Sequence, residues 1–245
     1  MHVLELVPRD LDHCLQLAKE VKAKFPHIEG FNIPDILRVP HRSHEVAALF
    51  LESGLDVIPH VRTIDRPVED TLKLVEGLLE RGLKRVLFVT GDLPTGLSQR
   101  VYRHSPEELI QACKKRFSGL KVYAGLDPYR SKLIDELEKA HHRLDMGADG
   151  LFSQPFFCPN LAQFFLKQLD SADLFLGVSP VLTEPSLTYW QTRNQAVFPG
   201  DFALNMERNI EIAHEIINES RKRDQHIYLM PIKTDVVPYL EAVYY

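Results

Sequence analysis

Arg85-Val86-Leu87-Phe88-Val89-Thr90-Gly91-Asp92-Leu93-Pro94-Thr95-Gly96 is the stretch whose reading decides the fold. Four apolar residues after a basic start read as a strand buried on both faces. The run then stops in a polar turn. Gly91 permits positive φ and close backbone approach, Pro94 and Gly96 forbid continuation, and Asp92 is left at the carboxyl end of the strand. In α/β enzymes that end carries the chemistry. Taken alone, a Gly-Asp pair reads as an ordinary solvated turn. The other strand ends of the chain change that balance.

Outward from this strand the chain alternates strand and helix patterns. Strands are expected over residues 3–7, 28–33, 56–61, 120–125, 149–154, 174–178 and 226–232, besides the opening stretch. Helices are expected over 10–24, 43–53, 67–81, 105–117, 130–146, 160–169, 202–222 and 235–245, with an irregular segment holding Trp190 before the long one. Their ends carry recognisable stops and starts: Gly54, Gly82 and Gly147 after helices, and Ser105-Pro106-Glu107-Glu108 as a capping box with proline in the first turn. Eight strands and eight helices in 245 residues is the count of an α/β (β/α)8 TIM barrel, read here as a single domain over residues 1–245. An open doubly wound sheet fits less well. The first strand-helix turn has no G-x-G-x-x-G, and polar residues mark nearly every strand end rather than one switch point.

Composition narrows the function classes. The chain is 44% apolar and 26% charged with formal net charge -5, and its basic residues are scattered, so neither a nucleic-acid backbone nor a membrane surface is an expected partner. Residues 1–5 lack the pattern of a secretion signal and no apolar run approaches the ~18 residues of a membrane span, which reads as a cytoplasmic protein. Cys14, Cys113 and Cys158 are far apart and odd in number, fitting free thiols. His41 with His44 and His141 with His142 have no third ligand at a metal-binding spacing, so no metal is expected.

A barrel would bring the polar strand ends, Glu5, Asn32, His60, Asp92, Tyr123, Asp127 and Gln154, around one mouth. Glu5 interrupts Leu4-Glu5-Leu6-Val7, and a carboxyl buried there would have a raised pKa and serve as an acid. An edge-strand glutamate facing water, or one paired with Arg62, is the competing reading.

These residues also resemble a known family. Leu4-Glu5-Leu6-Val7-Pro8, Pro59-His60-Val61-Arg62, Thr90-Gly91-Asp92-Leu93-Pro94, Asp145-Met146-Gly147-Ala148-Asp149 and Ser153-Gln154-Pro155-Phe156-Phe157 resemble, in order and spacing, the 5,10-methylenetetrahydrofolate reductases. The resemblance runs over essentially the whole chain. It implies a folate substrate, FAD as cofactor and NADH or NADPH as hydride donor, with Glu5 as general acid and Asp92 beside flavin and pterin. It also implies Gln154 and Phe156 at the substrate, and Asn32, His60, Thr90, Gly91, Tyr123, Asp127, Glu136, His142 and Arg143 around the cofactor. A homo-oligomer or a complex with a methyl-transfer or redox partner is compatible with it. Three positions depart from the family pattern: Thr90 for an arginine, Asp127 where histidine is common, and Asn32 for threonine. Losing the arginine removes a cation and a five-donor fork.

Three rival readings keep parts of this picture. Hydride could pass directly from the nicotinamide without flavin, or the chain could bind a methylated pterin as a non-reducing subunit. A Schiff-base aldolase could use Lys233, a residue that reads more simply as a solvated helix start.

Overall fold

The computed structural model describes residues 1–94 and 100–245, so the strand-breaking role expected of Gly96 falls outside the described residues. The strands are β1 (His2–Glu5), β2 (Ile28–Ile33), β3 (Val57–Arg62), β4 (Arg85–Val89), β5 (Lys121–Leu126), β6 (Gly150–Pro155), β7 (Asp173–Val178) and β8 (His226–Leu229). Between and after them lie α1 (Leu11–Lys24), α2 (Ser43–Glu52), α3 (Val68–Leu79), α4 (Pro106–Arg116), α5 (Leu133–Asp145), α6 (Pro159–Gln168), α7 (Glu184–Arg193), α8 (Met206–Arg221) and α9 (Val236–Tyr244). The eight strands follow one another in chain order in a closed barrel, and the fold is the (β/α)8 barrel. Its contacts divide into two compact units. One comprises Leu4–Gly125 with His142–Gly150; the other comprises Met1–Val3, Leu126–His141 and Leu151–Tyr245.

In the first unit β4 behaves as its sequence dictates: Val86, Leu87 and Phe88 are buried, each worth roughly 1.5–3 kcal/mol of apolar burial. The helices begin and end where local chemistry allows. Asp10 caps α1 by accepting from the His13 amide at 2.7 Å, and Ser105 with Glu108 closes the capping box of α4. Gly54, Gly82 and Gly147 take positive φ after α2, α3 and α5, as helix-terminating glycines do. Asp149, ahead of β6, accepts from the Val122 amide at 2.7 Å and meets Lys114 at 2.9 Å and Lys121 at 3.2 Å. Burial opposes its ionisation, but these three partners outweigh that and hold its carboxyl below the ordinary range.

In the second unit, aromatic rings fill the space beside β6, β7 and β8. Phe152 stacks on Phe175 with centroids 4.0 Å apart and meets Tyr228 edge-on at 5.3 Å. Gly177 of β7 comes so close to β6 that a Cβ there would lie 2.8 Å from the carbonyl oxygens of both Ser153 and Gln154. Its amide donates to the Ser153 hydroxyl at 2.8 Å, and its carbonyl accepts from the Phe156 amide at 2.8 Å.

One segment differs from the sequence expectation. Trp190 sits in a helix, α7, rather than in irregular chain. Thr183 caps it through the Ser186 amide and Pro185 occupies its first turn. These start signals were present, but only Ser186 and Trp190 of its ten residues are buried, so no clear apolar stripe announces it. The long helix correspondingly begins later than residue 202, at Met206, where Asn205 accepts from the Arg208 amide at 2.8 Å.

The close approach at β7 sets a stability test. Gly177→Ala would drive a methyl into two backbone carbonyls that cannot rotate away, so urea unfolding should show a loss of roughly 1–3 kcal/mol.

Candidate active site

Within the first unit, register decides which side chains share a face. Phe31 pairs with Val57 and Asn32 with Ile58; His60 pairs with Leu87 and Arg62 with Val89; Leu87 pairs with Tyr123. In this parallel ladder the Phe31 amide donates to the Asp56 carbonyl, one residue before its partner. The Leu6 amide donates to the Asn32 carbonyl at 3.0 Å, which by the same rule sets Glu5 beside Asn32. Phe31 meets Phe50 of α2 edge-on at 5.7 Å, so its face of the sheet is the helix-covered one. The alternate face therefore carries Glu5, Asn32 and Ile58 in one row, and His60, Leu87 and Tyr123 in the next.

This inner face holds unsatisfied polar groups. Asn32 is fully buried, and among the described residues neither its Oδ1 nor its Nδ2 has a hydrogen-bond partner; the Nε2 of His60 is likewise buried and without one. Each buried polar group left unsatisfied costs about 1–3 kcal/mol. Such groups are what a bound molecule with complementary donors and acceptors would satisfy. Burial holds the His60 imidazole down to about 4, with Asp35 opposing weakly, so the ring is neutral in ordinary buffers. Its carbonyl accepts from the Ser43 hydroxyl. Glu5 is half-buried on this face, between the fully buried Leu4 and the buried Leu6.

At the end of β4, Thr90 and Asp92 are exposed and Gly91 takes φ +82°. A Cβ at Gly91 would lie 2.6 Å from Cζ of Arg62, so glycine is required both by the turn and by the guanidinium passing against it. Arg62 donates from Nη2 to the Asp92 carbonyl, and from Nε to both carboxylate oxygens of Asp65 at 3.1 Å. The sequence offered Arg62 as a partner for Glu5. Its role at the Asp92 turn was invisible there, because it depends on register between β3 and β4.

Beside this turn lies a cleft of ≈ 680 Å³, lined by Thr90, Leu93, Tyr102, Arg103, His104 and Arg143 among others, with Pro106 and Glu107 of the α4 N-terminus. Arg143 reaches from α5 to the Gly125 carbonyl at 2.6 Å and to Glu107 at 3.0 Å. Burial works against ionisation of Glu107. Its own backbone amide, Ser105 and Arg143 overcome that and hold its carboxyl below the ordinary range. Arg103 and His104, which the sequence reading did not single out, thus join Thr90 and Arg143 at one cleft. His142 is exposed on α5.

In the second unit, Asp127 follows β5 and accepts from the Tyr129 amide at 3.1 Å. Burial raises its carboxyl above the ordinary value, more than that amide lowers it. Glu136 is buried and occupied by the Ser131 hydroxyl and by Lys139 at 2.8 Å, so its carboxylate is spent within its own segment. Gln154 is exposed near the end of β6. Phe156, expected at the substrate, is fully buried and tilted against Phe165 of α6 at 5.7 Å. Phe157 likewise packs on Trp190 at 5.1 Å and Phe198 at 4.5 Å, and the Tyr129 hydroxyl donates to the Pro155 carbonyl at 2.8 Å. Sequence alone could not separate these rings from the amide beside them. Among the described residues no cluster of His, Cys, Asp or Glu could hold a metal ion.

Fold and site together define a (β/α)8 barrel protein whose first unit carries buried, unsatisfied polar groups on the sheet face away from its helices. The family model described as methylenetetrahydrofolate reductase matches residues 38–215, and the chain belongs to that family. A curated relative, 5,10-methylenetetrahydrofolate reductase of Pectobacterium carotovorum subsp. carotovorum, is 25% identical over 118 residues, which cover 47% of this chain and 40% of the relative. Among solved structures, a protein of Toxoplasma gondii ME49 assigned as a deoxyribose-phosphate aldolase superposes with TM-score 0.61 at 12% identity, over 99% of this chain and 93% of that one. A 2,3-dimethylmalate lyase superposes with TM-score 0.60 at 11% identity, over 99% and 79%. Both likenesses show the fold alone.

His60 provides a pH test. Its folded value of about 4 lies below the ordinary 6.5, so the unfolded chain binds the extra proton first and stability falls as pH drops through that window. His44 shifts in the same direction, mainly by burial, and retains part of the slope. His60→Gln should therefore lose less stability than the parent protein between those pH values, measured by urea unfolding across the range.

Proposed function

We propose that the chain reduces 5,10-methylenetetrahydrofolate, or a related methylene-tetrahydropterin, to its 5-methyl form with hydride from NADH or NADPH, and that it binds FAD. Membership of the family supports the substrate class. The observation that carries the reading is the inner-face row in which an acid, Glu5, stands beside the buried unpaired amide of Asn32, with the neutral, unpaired imidazole of His60 in the next row.

These groups fit a flavin. Its ring edge alternates N–H and carbonyl groups, which an amide and a neutral imidazole can meet. The nearby cleft suits a phosphate-bearing tail: Arg103 brings positive charge that Thr90 does not, Arg143 stands in the same lining paired with Glu107, and the N-terminus of α4 adds its dipole. Gly91, Tyr123, Asp127 and His142 are proposed as further surroundings of the cofactor, with Glu136 acting only through the segment it holds. When bound, FAD supplies the hydride relay between nicotinamide and folate.

The work of the protein's own residues is then proton transfer and charge stabilisation. The imidazolidine ring of the substrate does not accept hydride until one ring nitrogen is protonated and its bond to the methylene carbon breaks, leaving an electrophilic iminium. Glu5 donates that proton to the ring nitrogen, which keeps the electron pair of the broken bond. The carboxylate of Asp92 stabilises the positive charge of the iminium. Gln154 offers one donor and one acceptor to the pterin edge. No cytoplasmic location or partner is needed for this chemistry.

The test is anaerobic and uses separated half-reactions. Purified protein should be yellow, bleach with NADH or NADPH, and regain colour with methylenetetrahydrofolate; a colourless protein that still reduces the folate would leave direct transfer from the nicotinamide. Glu5→Gln should keep nicotinamide oxidation with an artificial acceptor and lose folate reduction by roughly 100-fold or more. Folate reduction within a few-fold of the parent protein would remove Glu5 from the mechanism. Gln154→Ala should weaken folate binding by about 1–3 kcal/mol, read by titration.

A further inference from the structure

We propose that Arg62 is the positioning residue for the Gly91-Asp92 turn, and that it is held in place by a buried ladder of charges running Asp35–Arg42–Asp65–Arg62. The consequence for turnover rests on the role proposed for Asp92; the positioning itself does not.

The ladder links three successive strand ends. Asp35, just after β2, takes a two-pronged grip from Arg42, the residue that precedes α2, with Nε and Nη2 each at 2.7 Å. The same Nη2 also donates to Asp65, just after β3. Asp65 in turn receives Nε of Arg62 at 3.1 Å on both oxygens, and Nη2 of Arg62 ends on the Asp92 carbonyl after β4. The side chains of Asp35, Asp65 and Arg62 are only 1%, 5% and 3% exposed, and that of Arg42 is 23% exposed. Two carboxylates and two guanidinium groups alternate, so the buried set is neutral. The short bonds of Arg42 to both aspartates hold its proton more firmly than in a free arginine. Arg42, Asp65 and Arg62 each have a partner on both sides, and Asp35 closes the ladder with both of its oxygens on Arg42.

The last contact is unlike the others, because it falls on backbone rather than on a charge. A carbonyl in an exposed turn needs no buried cation, since water can satisfy it. Here the chain also gives up a side chain at Gly91, whose Cβ would collide with the Arg62 guanidinium at 2.6 Å. The arginine thus runs flat against Gly91 and pins the peptide that carries Asp92. Lysine could match the charge but not the fork: one ammonium cannot lie along Asp65 and reach the Asp92 carbonyl in a fixed plane. Placement matters to a reacting group at the scale of an ångström, where an error costs about 100-fold in rate.

The experiment compares Arg62→Lys, Arg62→Ala and the charge-balanced Arg62→Met/Asp65→Asn, which leaves no buried carboxylate unpaired if the single alanine variant fails to fold. Arg81→Ala, which breaks an exposed pair with Glu52, is the control. Amide hydrogen exchange by mass spectrometry on ligand-free protein is read first. The Arg62 variants should exchange at Gly91, Asp92 and Leu93 at least about tenfold faster, with amides of β7 and β8 unmoved. Unchanged exchange at the turn overturns the positioning whether or not the protein reduces folate. Stopped-flow reduction of the folate is read second. In Arg62→Lys and Arg62→Ala kcat should fall about 100-fold with KM within a few-fold, and added guanidinium ion should restore part of the loss in Arg62→Ala but none in Asp92→Asn. Loosened exchange with full turnover would overturn the catalytic consequence. An inactive parent protein would instead count against the reductase reading and leave the exchange result to decide the positioning.

Discussion

In a parallel sheet, hydrogen-bonded neighbours point to the same side and run to the same end, and most of what the first unit presents follows from that constraint. The Leu6 amide on the Asn32 carbonyl fixes Glu5 beside Asn32, and the pairing of His60 with Leu87 and of Leu87 with Tyr123 lays out the next row. A one-residue slip of β2 against β3 would turn Asn32 to the helix-covered face and bring Phe31 inward. The packing of Phe31 on Phe50 of α2 prevents this, so a core contact on one face sets which polar groups are offered on the other.

Buried polarity is used differently in two settings. On the inner face, polar groups are buried without partners, a cost accepted at Asn32 and His60 that a ligand can repay. Around the β4 turn, charges are largely buried and each meets one of opposite sign. A neutral alternating set is the arrangement in which mutual attraction can offset desolvation, and removing any one member exposes the next to the full penalty. Such a set adds little net stability compared with apolar packing of the same volume. What it adds is a fixed geometry, and the place it fixes is the turn that carries Asp92.

The family's short motifs resolve into separate physical jobs. In Ser153-Gln154-Pro155-Phe156-Phe157, the serine hydroxyl receives the Gly177 amide, the proline carbonyl receives the Tyr129 hydroxyl, and the two phenylalanines go to different clusters. Only Gln154 is left exposed. In Asp145-Met146-Gly147-Ala148-Asp149, Gly147 ends a helix at positive φ and Asp149 holds the Val122 amide at the start of the neighbouring strand. A motif can therefore mark a site while most of its residues build the wall behind it.

The sequence by itself determined the barrel and most element ends, because buried strands, capping residues and terminating glycines act locally and leave a local pattern. It also determined which strand ends bear polar groups, Glu5, Asn32, His60 and Asp92 among them. It could not separate Phe156 from Gln154, since strand alternation breaks down where β6 ends and both residues lie beside a proline. It missed α7, where a largely exposed helix leaves no apolar stripe. Tertiary structure alone decided the partners of Arg62. Along the ladder, Asp35 and Asp65 lie 7 and 23 residues from Arg42, and Asp65 and Asp92 lie 3 and 30 from Arg62, and no periodicity links them. A side chain's partner across neighbouring strands depends on register, and register is settled by packing of the faces rather than by the spacing of residues along the chain.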